Sequence, residues 1–423
     1  MFKKILSTFG TKFITAILAF VVTILTTRYL GAEGRGIIGL LNATIGIFIM
    51  VSGFIGGSNL VYLVPRKKLF PLIIPSYIWV LIVSITGLFI LKLTSIVPYN
   101  IVIHVFFLAL ISCLWRIHSH LLIGKGLINT NNFILLAFSI INFILVFSLF
   151  SLFGKASVST YIFVLYVSAI GIFFVNFLFI KKHILFSSFT EIKETLPQII
   201  KYGFMAQLAS VIQFLNYRLG YYILHLYLGT YHVGLYSVGV QISESVWMIS
   251  RSIALVQFSA IANSEDIEYS RNLTLKLAKF SFVSTLLVII PPLLLPSSFF
   301  TFVFGPDFAP LKIIFIALSP GIICFSYVVL LSHYFAGIGK FYINVLGSLV
   351  GFVFTIVFNI LLVPKYGYIG AAIAATLSFA ASSIFLILIF LRETGYNFRK
   401  LLPGKEDVAF VYDKLIEFIQ RKK

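Results

Sequence analysis

Charge is scarce in this chain and acidic charge is scarcest: of 423 residues only 13 are Asp or Glu, against 32 Lys or Arg, and charged residues make up 11% in all. A soluble domain carries about 25% charged residues, so a water-soluble fold is excluded. Cysteine is nearly absent too. The two thiols, Cys113 and Cys324, each lie inside an apolar run; they support neither a disulfide framework nor a metal site and read as buried structural thiols. No carboxylate pair and no nucleophile beside a base stands out. Gly337-Ile338-Gly339-Lys340-Phe341 lacks the spacing and the hydroxyl residue of a phosphate-cradling loop, which excludes an ATPase of the chain's own. His118 and His120 sit two residues apart, on different faces of a helix, and make no metal pair.

What the chain has instead is apolar length. Hydrophobic residues make up 60% and aromatic residues 17%. The apolar runs approach the ~20 residues a helix needs to cross ~30 Å of hydrocarbon, whereas a membrane β-barrel would show short alternating segments. The spans predicted are 13–30, 36–64, 71–91, 98–123, 132–152, 159–180, 203–228, 233–262, 277–296, 309–332, 341–363 and 368–391. The fold class expected is therefore an all-α polytopic membrane protein. Met1-Phe2-Lys3-Lys4 resembles the start of a signal peptide, but Lys12 interrupts it and the apolar stretch continues to Leu30 without a small-residue cleavage site, so an uncleaved first helix is expected.

Twelve crossings place both termini on one side. If that side is cytoplasmic, the inner segments hold 24 of the 32 Lys and Arg, the outer loops hold six (Arg28, Arg35, Lys92, Lys155, Lys312 and Lys365), and two, Arg218 and Arg251, remain inside the membrane. Positive residues are retained on the cytoplasmic side. The net charge of +19 is thus mostly a topology signal, not a nucleic-acid footprint. In the segment 396–423, Val408, Val411, Leu415, Phe418 and Ile419 follow helical spacing among basic residues, which predicts a cytoplasmic amphipathic tail, either solvated or lying on anionic membrane lipid. All predicted outer loops are short, which leaves no room for a catalytic domain on that side.

The sequence also repeats itself. Tyr29-Leu30-Gly31 followed by Gly36 recurs as Tyr227-Leu228-Gly229 followed by Gly234, an offset of 198 residues. Ser119-His120 followed by Gly124 and Gly126 recurs as Ser332-His333 followed by Gly337 and Gly339, an offset of 213. Six crossings per repeat preserve orientation, so a parallel repeat about an axis along the membrane normal is expected, with lobes at 1–190 and 191–395. Substrate sites of such designs lie between the repeats, which favours a transporter over an enzyme.

Three charged residues lie deep in the predicted spans: Arg218 on the seventh helix, and Glu244 and Arg251 on the eighth. Burying them is costly, so each must face a cavity or a partner. Around a turn centred near Tyr231, Arg218 and Glu244 reach similar depth, which suits either an ion pair locking two helices or two cavity groups. Arg251 lies two turns beyond Glu244, where no opposite charge is predicted. Ser237, Gln241, Glu244 and Arg251 form a polar stripe at helical spacing, and Gln207, Ser210, Phe214, Tyr217 and Tyr221 form a comparable one on the seventh helix. Those tyrosines suit either an interfacial belt or stacking on sugar rings. Arginines without matching carboxylates favour an anionic ligand, and a guanidinium matches phosphate geometry. Arg251, with Arg218, is therefore the candidate phosphate contact. Arg28 and Arg116, near helix ends, are expected to snorkel to the interface, with Arg28 kept as a candidate substrate contact.

Several segments resemble the polysaccharide flippase (Wzx-type) family of the multidrug/oligosaccharidyl-lipid/polysaccharide exporter superfamily, over nearly the whole chain up to about residue 395. These are Phe335-Ala336-Gly337-Ile338-Gly339-Lys340 continuing to Asn359, then Pro364-Lys365-Tyr366-Gly367-Tyr368-Ile369-Gly370-Ala371-Ala372-Ile373-Ala374. Thr27-Arg28-Tyr29-Leu30-Gly31 with Gly36, Leu228-Gly229 with Val233-Gly234-Leu235-Tyr236-Ser237, and Phe304-Gly305-Pro306-Asp307-Phe308 are also similar. The resemblance implies two six-helix lobes in a V around a cationic cavity, and alternating access that carries a polyprenyl-pyrophosphate-linked oligosaccharide from the inner to the outer leaflet of a bacterial cytoplasmic membrane. It implies O-antigen, capsule or exopolysaccharide assembly, action as a monomer and polysaccharide assembly partners. One departure matters: members of the family often carry an aspartate two residues after the arginine of the seventh helix, and here Gly220 follows Arg218-Leu219. Glu244 is then the deep carboxylate expected to couple transport to H+ or Na+; no other cofactor is expected. The competing readings are a cation-coupled multidrug antiporter, which would need unpaired carboxylates in its cavity, and a polysaccharide polymerase, which would need a large outer loop.

Overall fold

The computed structural model describes residues 2–184 and 188–404, with the side chains of 2–9, 189, 205 and 206 outside that description. Among the described residues the α-helices are α1 (Phe2–Gly56), α2 (Asn59–Leu63), α3 (Phe70–Thr94), α4 (Tyr99–Gly124), α5 (Ile128–Phe147), α6 (Val158–Ile180), α7 (Phe189–Leu228), α8 (Thr230–Ala262), α9 (Ile267–Leu294), α10 (Ser297–Phe304), α11 (Leu311–Gly337) and α12 (Phe341–Thr394). Among the described residues nine segments are long and apolar enough to cross a membrane. Two of these, Gly10–Leu63 and Phe341–Thr394, are 54 residues long and bend at Gly31 (φ 63°) and Gly367 (φ 58°), so each holds two crossings. With the C-terminal part of α7 the described crossings match the twelve spans read from hydropathy. The chain is a multi-pass helical membrane protein.

Compact packing groups Met1–Gly234 with Val303–Asp307, and Leu235–Phe302 with Phe308–Lys423. In the first unit α7 runs along α1. Gln207 Nε2 donates to the Met50 carbonyl at 3.1 Å and Asn59 Nδ2 to that of Ile199 at 3.0 Å, while a Cβ on Gly203 would stand 1.8 Å from the Phe54 oxygen. Backbone approach of this kind and polar ties between helices are what hold membrane bundles together, because lipid offers no hydrophobic contrast. These ties pack the seventh crossing with the first six, beyond the repeat boundary expected at 190. A second cluster of this unit gathers Val22, Ile38, Val146, Phe150, Tyr161 and Val164.

In the second unit α11 is the central helix. Trp247 of α8 packs on Phe325 of α11, ring centroids 4.3 Å apart, and edge-on to Phe379 of α12 at 5.2 Å. The two arms of α12 are stapled by serine hydroxyls: Ser378 donates to the Gly351 carbonyl at 2.8 Å and Ser382 to that of Gly347 at 3.0 Å. Past α12, Leu401 is buried and its carbonyl accepts from the Tyr327 hydroxyl at 2.9 Å. Most of the expected amphipathic tail, residues 405–423, lies outside the described residues.

The repeat is visible in backbone conformation. Gly31 (φ 63°, ψ −171°) and Gly229 (φ 81°, ψ −177°) break their helices in the same way, which puts the turn between α7 and α8 at Gly229 rather than Tyr231. After α4, the amides of Lys125, Gly126 and Leu127 donate to Leu121, Ile123 and Leu122. After α11, those of Ile338, Gly339 and Lys340 donate to Tyr334, Ala336 and Phe335, every partner displaced by 213 residues. A third pair at the same offset, Gly154 (φ 62°) and Gly367 (φ 58°), was not read from the sequence. Left-handed backbone at these turns favours glycine, which is why the repeat shows most clearly at its glycines.

Candidate functional site

The break at Gly31 decides what lies deep in the first unit. A helix that restarts at residue 32 exposes unsatisfied amides, and a distant residue caps them: the Asp307 carboxylate accepts from the Ala32 amide at 2.9 Å. The second half of α1 therefore begins inside the protein. Arg35, expected in an outer loop, sits on its first turn at 8% exposure. Its electrostatic neighbours include Tyr161 of α6 and Tyr221 and Arg218 of α7. This is a correction to the charge placement above: the helix restarts at residue 32, where Asp307, 275 residues away in sequence, caps it, and Arg35 is buried on its first turn.

Arg218 is held beside Arg35 by aromatic groups. Its Nη1 donates to the Tyr221 hydroxyl at 3.2 Å. Its guanidinium lies 5.3 Å from the Tyr221 ring centroid and 5.7 Å from that of Phe214. Phe214 in turn lies against Gly46 of α1. Tyr222 is buried, its hydroxyl 3.0 Å from Thr44 Oγ1, and Asn42 hydrogen-bonds Tyr161. The first unit thus carries two arginines embedded in tyrosine, asparagine and threonine. Such a lining presents guanidinium forks and hydroxyl groups together, which suits phosphate and sugar hydroxyls.

Of the other expected site residues on this unit, Tyr221 is buried in the cluster and Tyr217 is half-buried. Gln207 is spent on the α1–α7 tie described above. Arg28 is exposed at the end of the first half of α1, outside the arginine cluster.

On the second unit the polar stripe of α8 opens gradually. Ser237 is 2% exposed, Gln241 and Glu244 are half-buried, and Arg251 is exposed. Among the described residues Arg251 enters no ion pair; its guanidinium stands 5.9 Å from the Trp247 ring centroid and within electrostatic range of His333. Leu255 and Val256, one turn further, are also exposed. Arg218 and Glu244 belong to different compact units.

Arg116 of α4, expected to snorkel, is exposed, with its guanidinium 5.1 Å from the Trp115 ring centroid. It lies eight residues before the end of α4 at Gly124, roughly 12 Å along the axis. It lies nine positions after Phe107, which is 45% exposed. At about 100° of rotation per residue the two side chains leave the helix on opposite sides. The signal was in the sequence, as the phase of the exposed apolar face, but it was legible only once that face was known.

A family model described as polysaccharide biosynthesis protein matches residues 1–258. Among curated proteins none matches. Among solved structures, the lipid II flippase MurJ in an inward closed conformation aligns with TM-score 0.76 at 18% identity, over 97% of this chain and 90% of that one. An inward-facing multidrug resistance MATE transporter aligns with TM-score 0.65 at 16% identity, over 90% and 94%. A transporter of the same superfamily from Pyrococcus furiosus aligns with TM-score 0.58 at 14% identity, over 93% and 94%. The fold is that of these exporters.

Proposed function

This chain belongs to the polysaccharide biosynthesis protein family, and from that premise we propose that it flips a polyprenyl-pyrophosphate-linked oligosaccharide from the inner to the outer leaflet of the bacterial cytoplasmic membrane. Alternating access carries the headgroup, which cannot cross hydrocarbon unaided, while the lipid tail stays in the bilayer. The glycan so delivered serves O-antigen, capsule or exopolysaccharide assembly. The protein works as a monomer with both termini cytoplasmic, and hands its cargo to polysaccharide assembly partners.

The observation that carries this reading is Arg251, a guanidinium on a membrane-spanning helix with no ion pair among the described residues. An intramembrane charge of this kind marks a substrate path, and its sign selects an anion. Arg218 and Arg35 supply further positive charge on the first unit. The same charges disfavour cationic drugs, although MATE transporters share the fold. Glu244, half-buried on the same stripe as Arg251, binds the coupling H+ or Na+, each charge moved across the membrane being worth about 2.3 kcal/mol per 100 mV.

The test is translocation of a fluorescent lipid-linked oligosaccharide in proteoliposomes. Arg251→Ala is expected to lose at least about tenfold in rate, the loss of one charge-assisted contact; full activity of that variant would remove the assignment. Glu244→Gln is expected to abolish the response to an imposed gradient while leaving binding of the cargo intact.

A further inference from the structure

Arg116 is unused by the reading above. It is exposed on the side of α4 opposite Phe107 and Ile103, both 45% exposed, and Cys113 on its own side hydrogen-bonds Ser52 of α1. The guanidinium therefore faces inward from the lipid-exposed surface. Among the described residues its side chain has no hydrogen bond and no ion pair; the contact it makes is with the Trp115 ring, 5.1 Å from the centroid. His120 follows one turn later on the same face, half-buried, and the electrostatic influence on it comes from Arg116 itself. Lys125 stands exposed just past the helix end. From the helix end inward the chain thus sets out Lys125, His120 and Arg116, three cationic or cation-capable groups, and among the described residues neither of the inner two enters an ion pair.

A guanidinium this far from the helix end calls for a counter-ion, and among the described residues none pairs with it. The anion a membrane surface offers is the phosphate ester of a lipid, and a positive ladder leading from the helix end draws it in. We propose that Arg116 and His120 form a docking site for a lipid phosphate on the first unit. Arg116 grips two phosphate oxygens through its fork, the Trp115 ring limits its swing, and His120 donates from one turn away. This deepens the flippase reading and rests on it for one of the two sources of the phosphate, the diphosphate of a polyprenyl carrier; the other source is an ordinary anionic phospholipid.

The experiment uses the full-length protein in phosphatidylcholine nanodiscs, titrated with fluorescent polyprenyl diphosphate, with phosphatidylglycerol as competitor. Arg116→Gln is expected to weaken binding at least about tenfold, and His120→Gln several-fold, in line with loss of charge-assisted bonds. Arg116→Lys, which keeps the charge and loses the fork, should fall between. Competition by phosphatidylglycerol assigns the site to lipid phosphate in general, and failure to compete assigns it to the carrier diphosphate; either supports the site. Binding unchanged by both Arg116→Gln and His120→Gln overturns it, and should Arg116→Gln not fold, unchanged binding by His120→Gln decides alone. Arg116-dependent binding in a protein that translocates no cargo would overturn the transport reading and leave this site standing.

Discussion

Gly36 and Gly234 are packed against each other reciprocally: a Cβ on Gly36 would stand 1.8 Å from the Thr230 carbonyl oxygen, and a Cβ on Gly234 would stand 1.8 Å from that of Ala32. Residues 36 and 234 are equivalent in the repeat, and so are 32 and 230, both at an offset of 198. The duplicated motif therefore touches its own copy, as identical surfaces do across a two-fold axis. Gly36→Ala should cost more than the ~1–3 kcal/mol typical of overpacking, because the obstacle is backbone and not a movable side chain. Thermal unfolding in detergent should show a large loss for Gly36→Ala and Gly234→Ala, with Gly10→Ala, which meets nothing within 4 Å, as the neutral control.

The cap on the second half of α1 makes a separate prediction. Asp307→Ala removes the acceptor for the Ala32 amide and should lower stability by about 0.5–2 kcal/mol. Asp307→Asn keeps a carbonyl oxygen at the same place and should recover most of the loss. Equal unfolding temperatures for wild type and Asp307→Ala would show that the bond is dispensable.

Arg35 should matter more to transport than Arg28. The first is buried among Tyr161, Tyr221 and Arg218 and the second is exposed. If the first unit's arginine cluster receives the anionic headgroup, Arg35→Gln should reduce cargo translocation by at least about tenfold while Arg28→Gln stays near wild type. The reverse ranking, with both variants equally folded, would move the path away from this cluster.

At the end of α12, Lys340 pairs with Glu393, and Arg271 Nη2 donates to the Glu393 carbonyl at 3.0 Å. Hydrogen bonding to the Glu393 carboxylate raises the Lys340 ammonium above its ordinary value. A lysine raised in the folded state contributes stability at every pH below its unfolded value and loses it as pH climbs through the raised one. The Lys340 side chain is 41% exposed and that of Glu393 22%, so solvent screening holds the pair to less than about 1 kcal/mol. The deficit of Glu393→Gln should be constant from neutral pH upward and close only above the ordinary lysine value of 10.5. A deficit that closes near pH 8 would point to a different group.

Membrane residence and the number of crossings were legible from hydropathy alone, because hydrocarbon thickness imposes a length that soluble folds do not. The duplication was legible where it depended on glycine, at Gly31 and Gly229 and at Gly126 and Gly339, since left-handed backbone tolerates little else. Arg218, Glu244 and Arg251 stood out in the sequence because charge in an apolar run is rare. Arg35 did not, because a residue four past a glycine reads as loop until Asp307 is known to cap the helix. The side that Arg116 takes was not legible either, because its distance from the helix end says nothing of its direction, which depends on which side of α4 lipid touches. Gln207 read as a cavity group, and the structure shows its amide tied to the Met50 carbonyl. Spacing along one chain can tell which face a side chain takes on its own helix. What that face meets is set by contacts between segments that lie far apart in the chain, and those contacts place the positive charge of this protein.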